Sequence, residues 1–235
     1  RNENWSALLE DGVMKLRAYA DGILLELDLE FTKPPAIHGT NGVSQKADEL
    51  GQASHYYSIT RMSTTGLLSI DGNATSITGE SWMDHEFGTS QLAADQIGWD
   101  WFSLQLDNGE ELMIYEIRRR DGSVDHNSSG TIVAPDGETT HLTVGQFNVK
   151  SFRDWKSPDT EAVYRLDWEV EIPENNTRLR VTPLMDNQEM VTIRSTGFPY
   201  WEGAVLIEGT WGGESINGRG YVELTGYGDD YRPDV

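Results

Sequence analysis

Apolar and polar residues alternate with a period of two along most of this chain, and that period commits a segment to a β-strand with one buried face. Tyr164, Leu166, Trp168, Val170 and Ile172 are spaced by charged neighbours, the pattern of an antiparallel strand that is wet on one side. Trp99-Asp-Trp-Phe-Ser-Leu-Gln-Leu106 is followed by Asp107-Asn108-Gly109-Glu110 and then Leu112–Arg118. The Asn-Gly step tolerates positive φ, so this stretch predicts a hairpin. Ala134-Pro-Asp-Gly137 predicts another turn, between strands at 130–133 and 139–144. Further strands are expected at 13–19, 22–31, 54–62, 66–70, 74–80, 177–184, 189–195, 202–210 and 219–227. Helix signals are weak. Asn4–Leu9 and Leu92–Ile97 each suit one short turn, and neither sustains the helical period. Regularly spaced turn signals in an all-β chain point to a sandwich or barrel.

Two parts are expected, residues 1–87 and 88–235, joined through Gly88–Gly98. The second holds enough strands to close one barrel. The first is short for a closed barrel of its own, as expected if N-terminal strands are missing. The chain starts at Arg1 without a signal-peptide pattern, which reads as a fragment whose preceding segment is absent. Eight Trp, nine Tyr and six Phe are too many for a disordered acidic chain. The formal net charge of −21 argues against a nucleic-acid partner, because phosphate contacts need clustered Lys and Arg. It suits an exported, halophilic or very soluble protein. No apolar run is long enough for a transmembrane helix. Cysteine is absent, which excludes disulfides, thiolate nucleophiles and Cys-ligated metals and leaves the compartment open.

The densest chemical cluster is Glu80-Ser-Trp-Met-Asp-His-Glu-Phe-Gly88. On a strand, Trp82, Asp84 and Glu86 point one way and Met83, His85 and Phe87 the other. Two carboxylates beside an aromatic ring repel, which favours keeping one as the neutral acid. Such an acid suits protonation of an unactivated double bond. The plainer alternative is that both pair with arginines or cap backbone amides. In Ser54-His-Tyr-Tyr-Ser-Ile-Thr-Arg-Met62, His55 is a candidate to orient a carboxylate or relay a proton, or else a hydrogen-bonded structural residue. Trp99 and Trp101 share a face, and with Tyr57, Trp82 and Tyr115 they would wall an apolar cavity or else form ordinary barrel core. The five histidines show no HxH or HExxH spacing, so no metal site is expected, and Asp229-Asp230 reads as a solvated tail. No P-loop, GxGxxG or GxSxG string occurs, and no cofactor is expected.

Several strings together resemble a known family. They include His38-Gly-Thr-Asn-Gly-Val-Ser-Gln-Lys46, His55-Tyr-Tyr-Ser-Ile-Thr-Arg-Met62, Trp82-Met-Asp-His-Glu-Phe-Gly88 and Gly98-Trp-Asp-Trp-Phe-Ser-Leu-Gln-Leu106. Glu111-Leu-Met-Ile-Tyr115, Pro199-Tyr-Trp-Glu-Gly-Ala204 and Gly218-Arg-Gly-Tyr-Val-Glu-Leu-Thr-Gly-Tyr227 complete the set. The chain resembles the AttH-like branch of the carotenoid 1,2-hydratase (hydroxyneurosporene synthase) family. The resemblance implies two tandem lipocalin-like β-barrel domains, the N-terminal one incomplete here. It implies a hydrophobic small-molecule ligand, isoprenoid, polyene or lipid, and acid-initiated hydration of a C=C bond. The hydratases' His-x-Trp and Tyr-x-Asp pairs fall on His55-Tyr56-Tyr57 and Trp82-Met83-Asp84. That would make Asp84 the proton donor, His55 its partner, Glu86 or His55 the acceptor of water's proton, and Tyr57 and Trp82 the aromatic wall. Tyr stands for Trp at 57 and Trp for Tyr at 82, and Asp-His-Glu-Phe-Gly replaces the hydratases' Asp-x-Asn-x-Gly. A non-catalytic lipid carrier serving a membrane transporter, and a pericyclase of the Diels–Alderase type, are the other readings the resemblance opens. It also favours a periplasmic, secreted or lipid-anchored location.

Overall fold

The computed structural model describes residues 3–88, 92–192 and 197–228. Its regular structure is strand throughout, apart from a short 3-10 turn at Pro173–Asn175. The chain separates into two compact units. One comprises Arg1–Ala36 and Ser58–Asp84, the other Ile37–Tyr57 and His85–Val235. The expected division at residue 87 thus differs from the observed one, because residues 37–57 pack with the C-terminal part. Within the expected joining segment, residues 89–91 lie outside the described residues, as do residues 193–196 of one expected strand and the Asp229-Asp230 tail.

In the first unit, β1 (Ser6–Glu10), β2 (Val13–Ala20) and β3 (Ile23–Phe31) lead to β6 (Ala53–Ile70), which pairs with β7 (Asn73–Phe87). Three of the connections are Asp-Gly steps, and all have the same geometry. Asp11 and Gly12 have φ of 52° and 82°, Asp21 and Gly22 48° and 81°, Asp71 and Gly72 49° and 82°. Two consecutive positive φ values define the hairpin turn whose twist matches that of its strands. The helical turn expected at Asn4–Leu9 is instead β1, held in register by the first of these turns, with Ser6 opposite Arg17 and Glu10 opposite Val13. The strands expected at 54–62 and 66–70 are one continuous β6. In the second unit, after β4 (Ala36–Ile37), β5 (Val43–Gln45) pairs with the start of β6, Val43 opposite His55.

The rest of the second unit is one antiparallel sheet built from β8 (Gln96–Leu106), β9 (Glu111–Arg119), β10 (Ser129–Val133), β11 (Thr139–Thr143), β12 (Asn148–Lys156), β13 (Val163–Ile172), β14 (Thr177–Pro183), β15 (Glu189–Val191), β16 (Pro199–Trp211) and β17 (Glu214–Leu224). The order is β11-β10-β9-β8-β17-β16-β14-β13-β12, with β15 on β16. The sheet curls into a lipocalin-like half-barrel around one core, in which Trp168 meets Phe102 and Trp201 edge-on at 5.5 and 5.9 Å. Both predicted turns are built alike. The Gly109 amide donates to the Leu106 carbonyl at 3.1 Å and Gly137 to Ala134 at 2.9 Å, each glycine with positive φ. Asn108 Oδ1 and Asp136 Oδ1 then accept the amide just before the next strand, from Glu110 and Glu138.

Gly226 follows β17 with a φ of 69°, and a Cβ there would lie 1.8 Å from the Ile97 carbonyl oxygen. Gly226→Ala is expected to cost about 2–3 kcal/mol through combined clash and backbone strain. In a chain of this size that lowers the thermal midpoint by about 5–10 °C. Differential scanning calorimetry of the variant checks it.

Candidate functional site

Strand alternation in the second unit sends Phe102, Leu104 and Leu106 into the core and leaves Trp99, Trp101 and Ser103 on the other face. On that face one row of cross-strand partners runs over five strands. Ser129 lies opposite Tyr115, Tyr115 opposite Trp101, Trp101 opposite Glu223, and Glu223 opposite Glu202. The Trp99 indole donates to Glu223 Oε1 at 2.8 Å. The Tyr115 hydroxyl accepts from Ser129 at 2.9 Å and bonds the Ser44 hydroxyl at 2.9 Å. Burial raises the Glu202 carboxyl above its ordinary range, an effect partly offset by its bond to Tyr200, and burial beside Glu202 pushes the Tyr200 phenol up to about 12.

Residues of the segment 37–57 pack on the same face. Lys46 is buried, with Nζ 2.8 Å from Glu86 Oε1 and 3.9 and 5.2 Å from the ring centres of Tyr115 and Tyr56. Burial opposes its charge, but Tyr115 and Glu86 more than compensate and hold it above the ordinary lysine value. The Tyr56 hydroxyl accepts from the Trp101 indole at 3.0 Å. His38 bonds Thr131 at 2.9 Å and leans on the Tyr56 ring at 4.3 Å. Burial first, then Lys46, pushes His38 down to about 3, so it is neutral at physiological pH. The Lys46 carbonyl is tied by Gln96 at 2.8 Å.

The structure redistributes the residues nominated from sequence. Trp99, Trp101 and Tyr115 do share a face, as expected. Trp82 and Asp84 share a side of β7 in the first unit. The Trp82 indole donates to Asp84 Oδ2 at 3.0 Å, the Ser58 hydroxyl also donates to Asp84, and the residue is exposed. Glu86 belongs to the second unit, where Ser54 donates to it at 2.5 Å beside Lys46. His55 and Tyr57 lie on the opposite side of β6 from Ser54 and Tyr56, so Glu86 is met by neither of them. His55 is exposed against Phe87 at 5.3 Å, and Tyr57 meets His85 at 5.1 Å.

The reason is a slip in register. Beside the two-residue turn, even residues of β6 pair with odd residues of β7, as Thr64 with Ser81, and the Arg61–Glu80 ion pair keeps that opposite parity. Farther along, Ser58 meets Asp84 and Tyr57 meets His85, so parity now matches. One extra residue between these pairs, a bulge, exchanges the faces. The aromatic residue of β6 that joins Trp101 and Tyr115 is therefore Tyr56, not Tyr57. Lys46 and Tyr56 escaped the sequence reading, although both lie in strings that carried the family resemblance.

A separate charged group is buried where β8 faces β9. Asp100 lies opposite Glu116, accepts from Arg118 Nε at 2.9 Å and from the Tyr227 hydroxyl at 2.9–3.0 Å. The Arg118 guanidinium stacks 3.9 Å over the Tyr227 ring. Burial, with Asp100 adding to it and Arg118 opposing it, pushes Glu116 up to about 8. A carboxyl raised on folding costs nothing below its unfolded pKa of 4.5, and its cost grows as pH rises to about 8. Glu116→Gln is expected to remove that cost, stabilising the protein by about 5 kcal/mol at pH 9 and little at pH 4. Urea denaturation across this range measures it, and equal gain at both pH values refutes it.

All-β architecture, a curled antiparallel sheet over one apolar core, and an aromatic face bearing carboxylates define a lipocalin-like protein. The chain belongs to the AttH-like family, whose model matches residues 1–227. It is similar to the crystal structure of a putative AttH from Nitrosomonas europaea, with 36% identity and a TM-score of 0.86 over 95% of this chain and 68% of that one. It is 23% identical over 223 residues to the kievitone hydratase of Fusarium solani subsp. phaseoli. It is 24% identical over 224 residues to the dehydratase asqC of Emericella nidulans. Those matches cover 93% and 90% of this chain but only 62% and 60% of the two relatives.

Proposed function

We propose that this chain carries the chemistry of a hydro-lyase, adding water to or removing it from a C=C bond of an apolar unsaturated substrate, with Asp84 as proton donor. One relative being a hydratase and another a dehydratase supports the reaction class, the two being one reaction read in opposite directions. The observation that carries the role of Asp84 is its setting. Its carboxylate is exposed to a ligand, yet fixed by the Ser58 hydroxyl and by the indole of Trp82 at 3.0 Å. Transfer of its proton to a trisubstituted alkene gives a tertiary cation, which an aromatic face stabilises through its quadrupole. Water then adds to the cation, and its surplus proton passes to a base. An isoprenoid or polyene chain is the substrate class that fits.

The test is conversion of kievitone and of a linear terpenoid alkene by the purified chain, read as gain of one water by mass spectrometry, with Asp84→Asn alongside. Conversion by the wild type and loss in the variant supports the proposal. Tight binding without conversion points instead to a carrier, and full activity in the variant removes Asp84 from the chemistry.

A further inference from the structure

After β17, residues 225–227 pack against the core of the second unit, where the Tyr227 ring meets Tyr164 at 5.2 Å. Their anchors converge on β8 and β9. The Tyr227 hydroxyl donates to Asp100 at 2.9–3.0 Å, and the Thr225 amide donates to the Trp99 carbonyl at 2.9 Å. Arg118 does the rest. Its Nε donates to Asp100 at 2.9 Å, its Nη2 donates to the Thr225 carbonyl, and its guanidinium lies 3.9 Å over the Tyr227 ring. Glu116 stands beside this anchor, directly opposite Asp100 and two residues from Arg118 on the same face of β9. The hydrogen bonds of the group go to Asp100 and to the segment, and none goes to Glu116. Burial first, then the Asp100 charge, keeps the Glu116 carboxyl neutral up to about pH 8, with Arg118 opposing. Burial and Asp100 hold the Tyr227 phenol well above its ordinary value, so Tyr227 does not titrate first. The remaining charges nearby are Arg165 of β13, which acts on Tyr227, and Glu189 of β15, which accepts from Tyr164 at 2.8 Å.

We propose that Glu116 is a pH-sensitive latch on residues 225–227. While neutral it leaves Arg118 to Asp100 and Tyr227. Once ionised it sets a second carboxylate opposite Asp100, which destabilises a strand pair, and the two compete for one guanidinium. Arg118 is drawn toward Glu116, the segment lets go, and the core around Tyr164 is uncovered while the rest of the unit stays folded. Local opening of this kind relieves the conflict at less cost than unfolding the unit. The sign follows from linkage. The closed form holds the Glu116 proton more tightly than the open form, so acid closes the latch and alkali opens it. The drive to open grows from the ordinary glutamate value of 4.5 and stops growing at about pH 8, where Glu116 ionises in the closed form too. The latch is independent of the hydro-lyase reading.

The test is NMR of the full chain carrying ring-¹³C tyrosine, with the Tyr227 signal assigned by Tyr227→Phe, followed from about pH 5 to about pH 9. In the wild type the Tyr227 signal is expected to move to the position of a solvent-exposed tyrosine, the docked fraction falling from above about 90 % to below about 10 %. The midpoint is expected no higher than about pH 8. Tyr56, buried in the same unit, should keep its signal throughout. Glu116→Gln is expected to hold Tyr227 docked over the whole range. Glu116→Met, equally unable to ionise, serves if the glutamine variant does not fold. A Tyr227 signal that stays docked in the wild type at pH 9 overturns the latch, because the drive is then already complete. The same transition in Glu116→Gln or Glu116→Met overturns it too, and so does a Tyr56 signal that shifts together with Tyr227, which would mean unfolding of the unit.

Discussion

On the proposed reaction, Asp84→Asn is expected to lower kcat by about 10²–10⁴-fold, the usual worth of a positioned proton donor, and to leave substrate binding within about twofold. The amide is isosteric: its oxygen still accepts the Trp82 indole N–H and its NH2 can donate to the Ser58 hydroxyl oxygen, so both neighbours keep it in place. What it lacks is a proton acidic enough to pass to carbon. The change is therefore confined to the chemical step, and kcat and kcat/KM should fall together. Calorimetric titration of the substrate into both proteins, beside their rates, makes the measurement. A fall in affinity with kcat intact would show Asp84 to be a binding residue. The exposed position of Asp84 makes a stability effect of more than about 0.5 kcal/mol unexpected.

Trp201→Ala is expected to have the largest effect on folding, about 5 kcal/mol. Trp201 is fully buried, its ring meets Trp168 at 5.9 Å, and its indole donates to the Asp186 carbonyl at 2.7 Å. Truncation opens a cavity beside Trp168, which carries most of the cost, and removes one of two donors to that carbonyl, which keeps the Gln188 amide at 3.0 Å. The loss is comparable with the whole stability of many domains, so the variant should melt about 10–20 °C lower or fail to accumulate. Trp5→Ala is the control, at a ring 58% exposed, and should shift stability by less than about 0.5 kcal/mol. Equal losses at the two positions would mean that the tight packing around Trp201 is not what holds the unit together.

The sequence makes the strands and their tight turns legible because both depend on neighbours along the chain. Alternation over 164–172 and the Asn-Gly and Asp-Gly steps report directly on local backbone preference. The Asp-Gly step at 71–72 even fixes the register of β6 and β7 where it lies. The bulge farther along that ribbon is invisible, since an extra residue has no signature when both faces carry polar and aromatic side chains. With an unbroken register His55 and Tyr57 would have faced Glu86, and the slip places Ser54 and Tyr56 there instead. The membership of residues 37–57 in the second unit is hidden for a related reason. Lys46 reads as a surface charge until Tyr115 and Glu86, distant in sequence, close around it. The face shared by Trp99, Trp101 and Tyr115 was accessible because two of the three lie on one strand and the third on its hairpin partner.

The pairing of β8 with β17 shapes how the second unit assembles. Nearly every other contact in its sheet joins strands that follow each other closely, as in the hairpins β8–β9, β12–β13 and β16–β17. Those ribbons can zip early, each closing a short loop at small entropic cost. Leu106 meets Gly218 only once all the intervening strands lie between them. That seam is the most non-local step, and non-local pairing is what slows folding. Until it forms, two finished half-sheets carry open edges at β8 and β17, and unpaired edges of that kind join other chains as readily as their own. The yield of folded protein at high concentration should therefore be governed by residues along this seam, not by those that dominate equilibrium stability.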